Sequence, residues 1–283
     1  MGGLVSRSHP IDAVLWDLDG TLIDTSSSSL HALAEILEEN EITLTINQLA
    51  PIIEQNMAVS ASPTSVKKDK ESWAREVLKL TNSSTNLTAS DLVKKWDDKM
   101  LQRRSEIKLL PYALELVHHF KKHNIPQAIA TMSNAKAVAV KKHAQPELFK
   151  IIETIVTSSD PDVKNRKPHP DCWFVAASRL NVKTHRCVII EDSPEGMRSG
   201  VSAGAKVVGV PAAWSDKKKI GRGVKVDFML ENGLGDFPCE RFGLPKLPRI
   251  LKKESNVSLK RSTSSRERNL KRQGSRSSSE RKK

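Results

Sequence analysis

The chain has 283 residues, 38% of them hydrophobic, with five Trp and a formal charge of +13. That length allows about two domains, and no apolar run nears the roughly 18 residues that a membrane span needs. Cys172, Cys187 and Cys239 stand apart with no metal-ligand spacing, so free thiols in a reducing compartment are expected, with no secretory leader ahead of them.

Met1-Gly2-Gly3-Leu4-Val5-Ser6 fits the N-myristoylation pattern. The next feature is Ile11 to Trp16, an apolar run that reads as a buried strand. It delivers Asp17 and Asp19, spaced i, i+2, into the turn Gly20-Thr21. Beyond a strand's end the chain stops pairing, so both carboxylates can face one pocket. Clustered carboxylates repel, and holding both ionised favours a bound cation. Mg2+ suits such oxygen ligands and keeps waters that a phosphate can replace. One carboxylate can then attack phosphorus while the other moves protons. A strand followed by an Asx turn capping a helix uses the same residues, so this run alone leaves both readings open. A calcium loop is disfavoured by apolar Leu22-Ile23, which falls where ligands should be.

Four helices are predicted next, over Ser29–Glu39, Thr45–Gln55, Val66–Leu80 and Ser90–Gln102, with no convincing strand among them. From Ala113 the pattern alternates. Helices are expected at Ala113–His123 and Asp171–Leu180. Strands are expected at Gln127–Ala130, Ile151–Val156, Cys187–Ile190 and Ala205–Val210. Alternating strand and helix predicts an α/β fold, a doubly wound parallel sheet. In such sheets ligands bind beyond the carboxyl ends of the strands. Residues 252–283 hold twelve Lys or Arg against three Glu, a net of +9, which leaves only +4 for the rest. This Ser-rich, aromatic-free stretch cannot bury enough surface to offset ordering entropy, so 251–283 is read as a disordered basic tail.

Asp17-Leu18-Asp19-Gly20-Thr21 resembles the first motif of the haloacid dehalogenase (HAD) superfamily of phosphohydrolases. Three further segments follow in that superfamily's order. They are Ile129-Ala130-Thr131-Met132-Ser133-Asn134, Lys167-Pro168-His169-Pro170-Asp171, and Val188-Ile189-Ile190-Glu191-Asp192-Ser193-Pro194-Glu195-Gly196. The segments around Thr131, Ser158–Val163 and Glu191 look most like the branch holding pseudouridine-5'-phosphatases and plant FMN hydrolases.

The resemblance implies a Rossmann-like core from residues 1–24 and 105–250, with 25–104 inserted as an all-helical cap in the C1 position. It implies Asp17 as nucleophile through an aspartyl-phosphate, and Asp19 as general acid and then base. Mg2+ would sit among the Asp17 carboxylate, the Asp19 backbone carbonyl and Asp192, with Glu191 one step outside. Thr131, with the backbone N–H groups of Met132 and Ser133 ahead of a helix, would bind the phosphoryl group. Lys167 would supply fixed positive charge. Three positions depart from the pattern. Arg166 replaces a Gly, Ser26–Leu30 replaces Glu-Pro-Leu, and Pro111-Tyr112 replaces Pro-Gly. His169 and Glu195 are candidates for the site's edge.

The expected function is a Mg2+-dependent phosphatase of a small phosphorylated metabolite such as a nucleotide-like or sugar phosphate, pseudouridine 5'-phosphate or FMN. Alternatives are a phosphomutase, or a HAD-fold binding protein whose basic tail touches membrane or nucleic acid. A monomeric cytoplasmic protein is expected. The myristoylation pattern with the tail points to membrane association, and the tail without the lipid points to the nucleus.

Overall fold

A computed structural model describes residues 11–45, 48, 49, 52, 71–81, 86–103, 107–210 and 223–248. The myristoylation pattern, the basic tail and parts of the predicted second and third helices lie outside them. Six parallel strands form one sheet in the order β5-β4-β1-β6-β7-β8. They are β1 (Ala13–Trp16), β4 (Gln127–Ala130), β5 (Thr154–Val156), β6 (Cys187–Glu191), β7 (Lys206–Gly209) and β8 (Phe228–Met229). A two-stranded antiparallel pair, β2 (Ile23–Asp24) with β3 (Lys108–Leu109), stands beside it.

Alternation along each strand feeds two cores, because successive side chains point to opposite faces. Val14, Trp16, Ile129, Val188, Ile190 and Val208 bury one face. Ala113, Leu116, Val117 and Phe120 from α4 (Ala113–Lys122), and Leu148 and Phe149 from α6 (Pro146–Ile151), cover that face. Ala13, Leu15, Ala128, Ala130, Cys187, Ile189 and Val207 bury the other. There Cys172, Trp173, Ala176 and Ala177 from α7 (Asp171–Arg179) and Met197 from α8 (Pro194–Ser202) pack against them. Helices on both faces make the sheet doubly wound, as expected. On the first face, the buried side-chain amide of Gln127 at the start of β4 is satisfied. Gln127 accepts from Trp16 Nε1 at 3.0 Å and donates to the Val117 carbonyl at 3.0 Å.

The apolar run Ile151–Val156, expected as one strand, divides. Pro146 opens α6, which ends at Ile151, and the strand holds only Thr154–Val156. A short run buried in both states carries no period that separates helix end from strand.

Between β2 and β3 lie helices with their own apolar centre. They are α1 (Thr25–Glu38), α2 (Ser72–Lys79) and α3 (Ala89–Gln102), with helical residues at Gln48, Leu49 and Ile52. Leu30, Leu33, Ile36, Leu37, Leu49, Ala74, Val77 and Leu92 are buried together. α1 begins four residues before its predicted start, because Asp24 caps it by accepting from the Ser27 N–H at 2.9 Å. Thr88 and Asp91 form a capping box at the start of α3. No helix among the described residues is long and apolar enough to cross a membrane.

The strand order places β1 between β4 and β6, where the chain's path across the sheet reverses. The ends of these three strands therefore border the crevice such sheets use for ligands.

Candidate active site

Asp17 directly follows β1, and its N–H stays in the sheet by donating to the Ile190 carbonyl at 2.9 Å. Asp17 is buried, 6% exposed. Lys167, in the loop between β5 and α7, is buried as well. Its ammonium donates to Asp17 Oδ1 at 2.7 Å, Glu191 Oε1 at 2.7 Å and the Ala130 carbonyl at 3.1 Å. Those three bonds use all its donors. The Trp173 ring centroid lies 4.3 Å from the same nitrogen, a cation–π contact that adds to its confinement. Asp171 shapes the loop ahead of Lys167 by accepting from the N–H groups of Lys164 at 3.1 Å and Asn165 at 2.8 Å.

Glu191 ends β6 and has no free oxygen. Oε1 takes Lys167, and Oε2 accepts from the N–H of Ser193 at 2.7 Å and its hydroxyl at 3.0 Å. A Cβ at Gly196 would overlap the Glu191 carboxylate, so only glycine fits there. Glu191 thus orients Lys167 and the start of α8. Asp192 is different: none of the hydrogen bonds among the described residues reaches its carboxylate. Carboxylate oxygens of Asp17, Glu191 and Asp192 lie within 4.8 Å of one another.

One ammonium against three carboxylates leaves excess negative charge in a dry place. Burial pushes the Asp17 carboxyl up to about 7, helped by Glu191 and Asp19 and opposed by Lys167. Burial likewise raises Asp192 well above the usual carboxylate range, with Glu191 and Asp17 adding to it. Lys167 goes up too: burial alone would lower it, but the Asp17 and Glu191 charges outweigh that. The ammonium therefore stays protonated, and the acids carry the strain of the cluster.

Asp19 turns the other way. Its Oδ2 accepts from the Ser133 hydroxyl at 2.7 Å and the Thr131 hydroxyl at 3.2 Å, and its Oδ1 is paired with the Lys141 ammonium. Burial would raise its pKa, but the Lys141 charge and these hydrogen bonds hold it below the ordinary carboxylate range. Thr131 follows β4, and its hydroxyl also accepts from the Ser133 N–H at 3.0 Å. Asn134 caps α5 (Ala135–Ala144) by accepting from the Ala137 N–H at 2.9 Å. The Thr131–Ser133 loop thus leads into a helix N-terminus, which favours anions.

The structure thus brings Asp17, Asp19, Thr131, Met132, Ser133, Lys167, Glu191 and Asp192 to one end of the sheet. His169 and Glu195 stand aside from these contacts. The His169 carbonyl accepts from Ser199 at 2.6 Å, and Glu195 pairs with Arg198 at 2.9 Å. Lys141, 8% exposed on α5, is the residue sequence reading missed.

The haloacid dehalogenase-like hydrolase family matches residues 14–210. The chain belongs to that family. It is 31% identical over 241 residues to the probable pseudouridine-5'-phosphatase of Drosophila melanogaster, covering 82% of this chain and 93% of the fly protein. It is 28% identical over 238 residues to (DL)-glycerol-3-phosphatase 1, mitochondrial, of Arabidopsis thaliana, covering 83% and 74%. A solved HAD family hydrolase of Deinococcus radiodurans R1, with bound phosphate and sodium, shares the fold at a TM-score of 0.62. Identity there is 24%, over 78% of this chain and 91% of that one.

Two of this hydrolase's departures from the family pattern now have a physical reading. Tyr112, where the family often has Gly, adopts the left-handed conformation with φ 67°, which costs a non-glycine residue roughly 1–2 kcal/mol. Its ring packs on Gly235, where a Cβ would come within 2.9 Å of it. Arg166 is not among the residues with positive φ, so its backbone position does not require glycine. Its guanidinium donates to the Met132 carbonyl at 3.2 Å and so adds a cation beside the Thr131 loop.

The donor set of this HAD-like hydrolase fits a hard divalent cation. Its oxygens are carboxylate, its charge is uncompensated, and Asp192 has an unused carboxylate. Gly20, at φ 87°, leaves the space that Asp192 fills, since a Cβ there would overlap Asp192 Oδ2. A pH dependence follows. Acids whose folded pKa is raised stabilise the fold only while protonated. The contribution of these acids to the stability of the metal-free protein therefore falls as pH rises from about 4 to about 7, and the full penalty persists above. Mg2+ should raise the melting temperature more at pH 8 than at pH 5, and Asp192→Ala should remove most of that rise. Scanning calorimetry checks both. An equal rise at both pH values, or one retained by Asp192→Ala, contradicts this assignment.

Proposed function

We propose that the chain is a Mg2+-dependent phosphatase of small phosphorylated metabolites that works through an aspartyl-phosphate on Asp17. The observation that carries this reading is the separation of two acids at one strand end. Asp17 shares an ammonium with Glu191, and Asp19 is held apart by Thr131, Ser133 and Lys141. Two carboxylates in unlike environments suit unlike roles.

Asp17, Asp192 and the Asp19 backbone carbonyl would hold the cation. Bound there, it supplies positive charge to the phosphoryl oxygens and to the crowded acids. An Asp17 oxygen attacks phosphorus as the bond to the leaving oxygen breaks. Lys167 holds Asp17 in place for that attack and adds charge stabilisation. The Thr131 hydroxyl turns from Asp19 to donate to the incoming phosphoryl group, joined by the Met132 backbone N–H, while the Ser133 hydroxyl stays on Asp19. A dianionic ester beside Asp19 is a like charge and raises its proton affinity. Asp19 then gives a proton to the leaving oxygen, and later takes one from the water that cleaves the aspartyl-phosphate.

The helical unit between β2 and β3 acts in this reading as a cap that excludes water and chooses the ester. The fly and Arabidopsis relatives carry names for pseudouridine 5'-phosphate and glycerol 3-phosphate, and such alkyl phosphates, with FMN, are the substrates proposed. Phosphate release by the purified protein from a panel of nucleotide, sugar, polyol and flavin phosphates, with Mg2+ and with EDTA, tests the class. Mg2+-dependent release from at least one is expected; release from none contradicts the reading. Appearance of a phosphorylated product in place of free phosphate would make it a mutase. Grafting a relative's residues 25–104 equivalent should re-rank the panel, and an unchanged ranking counts against the cap as selector.

A further inference from the structure

Lys141 is an unusual residue for its place. Lysine is almost never fully buried unless paired, because removing an ammonium from water is costly. Lys141 lies on α5 three residues after buried Val138, so both share the helix face turned to the protein. Its neighbours Lys136 and Lys142 are exposed. Its stem is buried and its head meets two groups, Asp19 Oδ1 and the Ser133 hydroxyl, the latter at 2.7 Å. Ser133 accepts from Lys141 and donates to Asp19 Oδ2 at 2.7 Å, so its hydroxyl hydrogen has one direction. Asp19 is thus gripped at both oxygens, by the ammonium at one and by two hydroxyls at the other. Its carboxylate stays out of the Asp17–Glu191–Asp192 cluster.

We propose that Lys141 is the positioning residue for Asp19. Directly and through Ser133, it keeps the proton-transferring carboxylate on the Thr131–Ser133 side and away from the nucleophile and the cation site. The two buried ammoniums then divide the site, Lys167 serving the attacking acid and Lys141 the proton-carrying one. The inference rests on the phosphatase reading above. Without Lys141, Asp19 is free to turn toward the acid cluster or the solvent. Proton delivery to the leaving oxygen falters, while attack by Asp17 is untouched.

That difference can be measured. As Asp17 forms its bond to phosphorus, the breaking P–O bond leaves its electron pair on the departing oxygen. A nitrophenolate carries that pair unaided, whereas a plain phenolate gains from the proton of Asp19. The experiment compares kcat/KM, which reports steps up to the aspartyl-phosphate, for p-nitrophenyl phosphate and phenyl phosphate with Mg2+. Lys141→Met is expected to lose about tenfold or more on phenyl phosphate relative to its loss on p-nitrophenyl phosphate, since misplacing a general acid forfeits much of its contribution. Lys141→Arg, which keeps the charge, should recover most of the phenyl phosphate rate. Should Lys141→Met fail to fold, Lys141→Gln gives the same ratio with a neutral donor in place. Equal losses on both esters, or none, overturn the proposal, because a merely structural role would lower both alike. If the wild-type protein turns over neither these esters nor any of the metabolite panel, the phosphatase reading itself falls; if it turns over only the panel, a Lys141→Met loss on its best alkyl ester that Lys141→Arg does not recover overturns the proposal.

Discussion

Asp17→Asn should reduce turnover by at least about 10^4-fold while leaving a folded protein. The amide keeps the shape of the carboxylate but cannot form the acyl-phosphate and gives up a metal charge. Phosphate-monoester hydrolysis is among the slowest uncatalysed reactions, with enzymatic accelerations up to ~10^21, and removing a covalent nucleophile forfeits a large part of such an acceleration. The same change should not weaken the fold. Asp17 sits in a cluster with more acid than base, and its raised pKa means that its ionised form opposes folding at pH 8. The melting temperature of metal-free Asp17→Asn at pH 8 should therefore equal or exceed that of the wild type. A variant that is inactive because it is unfolded would fail this part of the expectation.

Lys167→Met should be the most damaging single change to both rate and stability. The lysine gives three hydrogen bonds within the buried cluster and is its only cation among the described residues. Its loss leaves Asp17 and Glu191 unpaired, and breaking a buried charge pair from one side costs roughly 3–5 kcal/mol. Loss of the charge on Asp17 and the phosphoryl group should lower kcat by about 10^3-fold or more, beyond the 10^2–10^3 typical of one neutral donor. Adding Glu191→Gln removes one orphaned charge. The double variant should regain part of the stability measured by urea unfolding and none of the activity. Recovered activity in the double variant would mean that Lys167 serves only to neutralise Glu191.

Much of this site is legible in the amino-acid sequence. Three short apolar runs end in acids or hydroxyls, and a parallel sheet brings such ends together. That pattern names Asp17, Asp19, Thr131, Glu191 and Asp192, whereas Lys167, preceded by polar residues, is named by the family resemblance alone. Lys141 escapes it because it belongs to the run Lys141-Lys142-His143 at a helix end, which reads as solvated surface. Only the turn of α5 shows that one of these cations points inward while its neighbours face water. The β2–β3 pair escapes for another reason. Each strand has two residues, the partners lie about 85 positions apart, and no local period marks either. α5, α6 and α8 are short, and α8 opens at Pro194 with Ser193 as its cap, signals that the preceding acids overshadow. Arg166 and Tyr112 are visible as departures from a pattern. Their consequences, an added cation beside the Thr131 loop and a left-handed tyrosine, belong to packing and backbone angles that sequence does not carry.

In this mechanism the phosphoryl group passes to Asp17, and trapping the aspartyl-phosphate is the most direct test. Wild-type protein mixed with Mg2+ and a turned-over phosphate ester is quenched in acid within the first turnover and analysed by intact-protein and peptide mass spectrometry. One phosphoryl adduct is expected, on the peptide carrying Asp17, labile to hydroxylamine and absent from Asp17→Asn. Steady turnover with no trapped adduct, or an adduct mapped to any other residue, would contradict the mechanism.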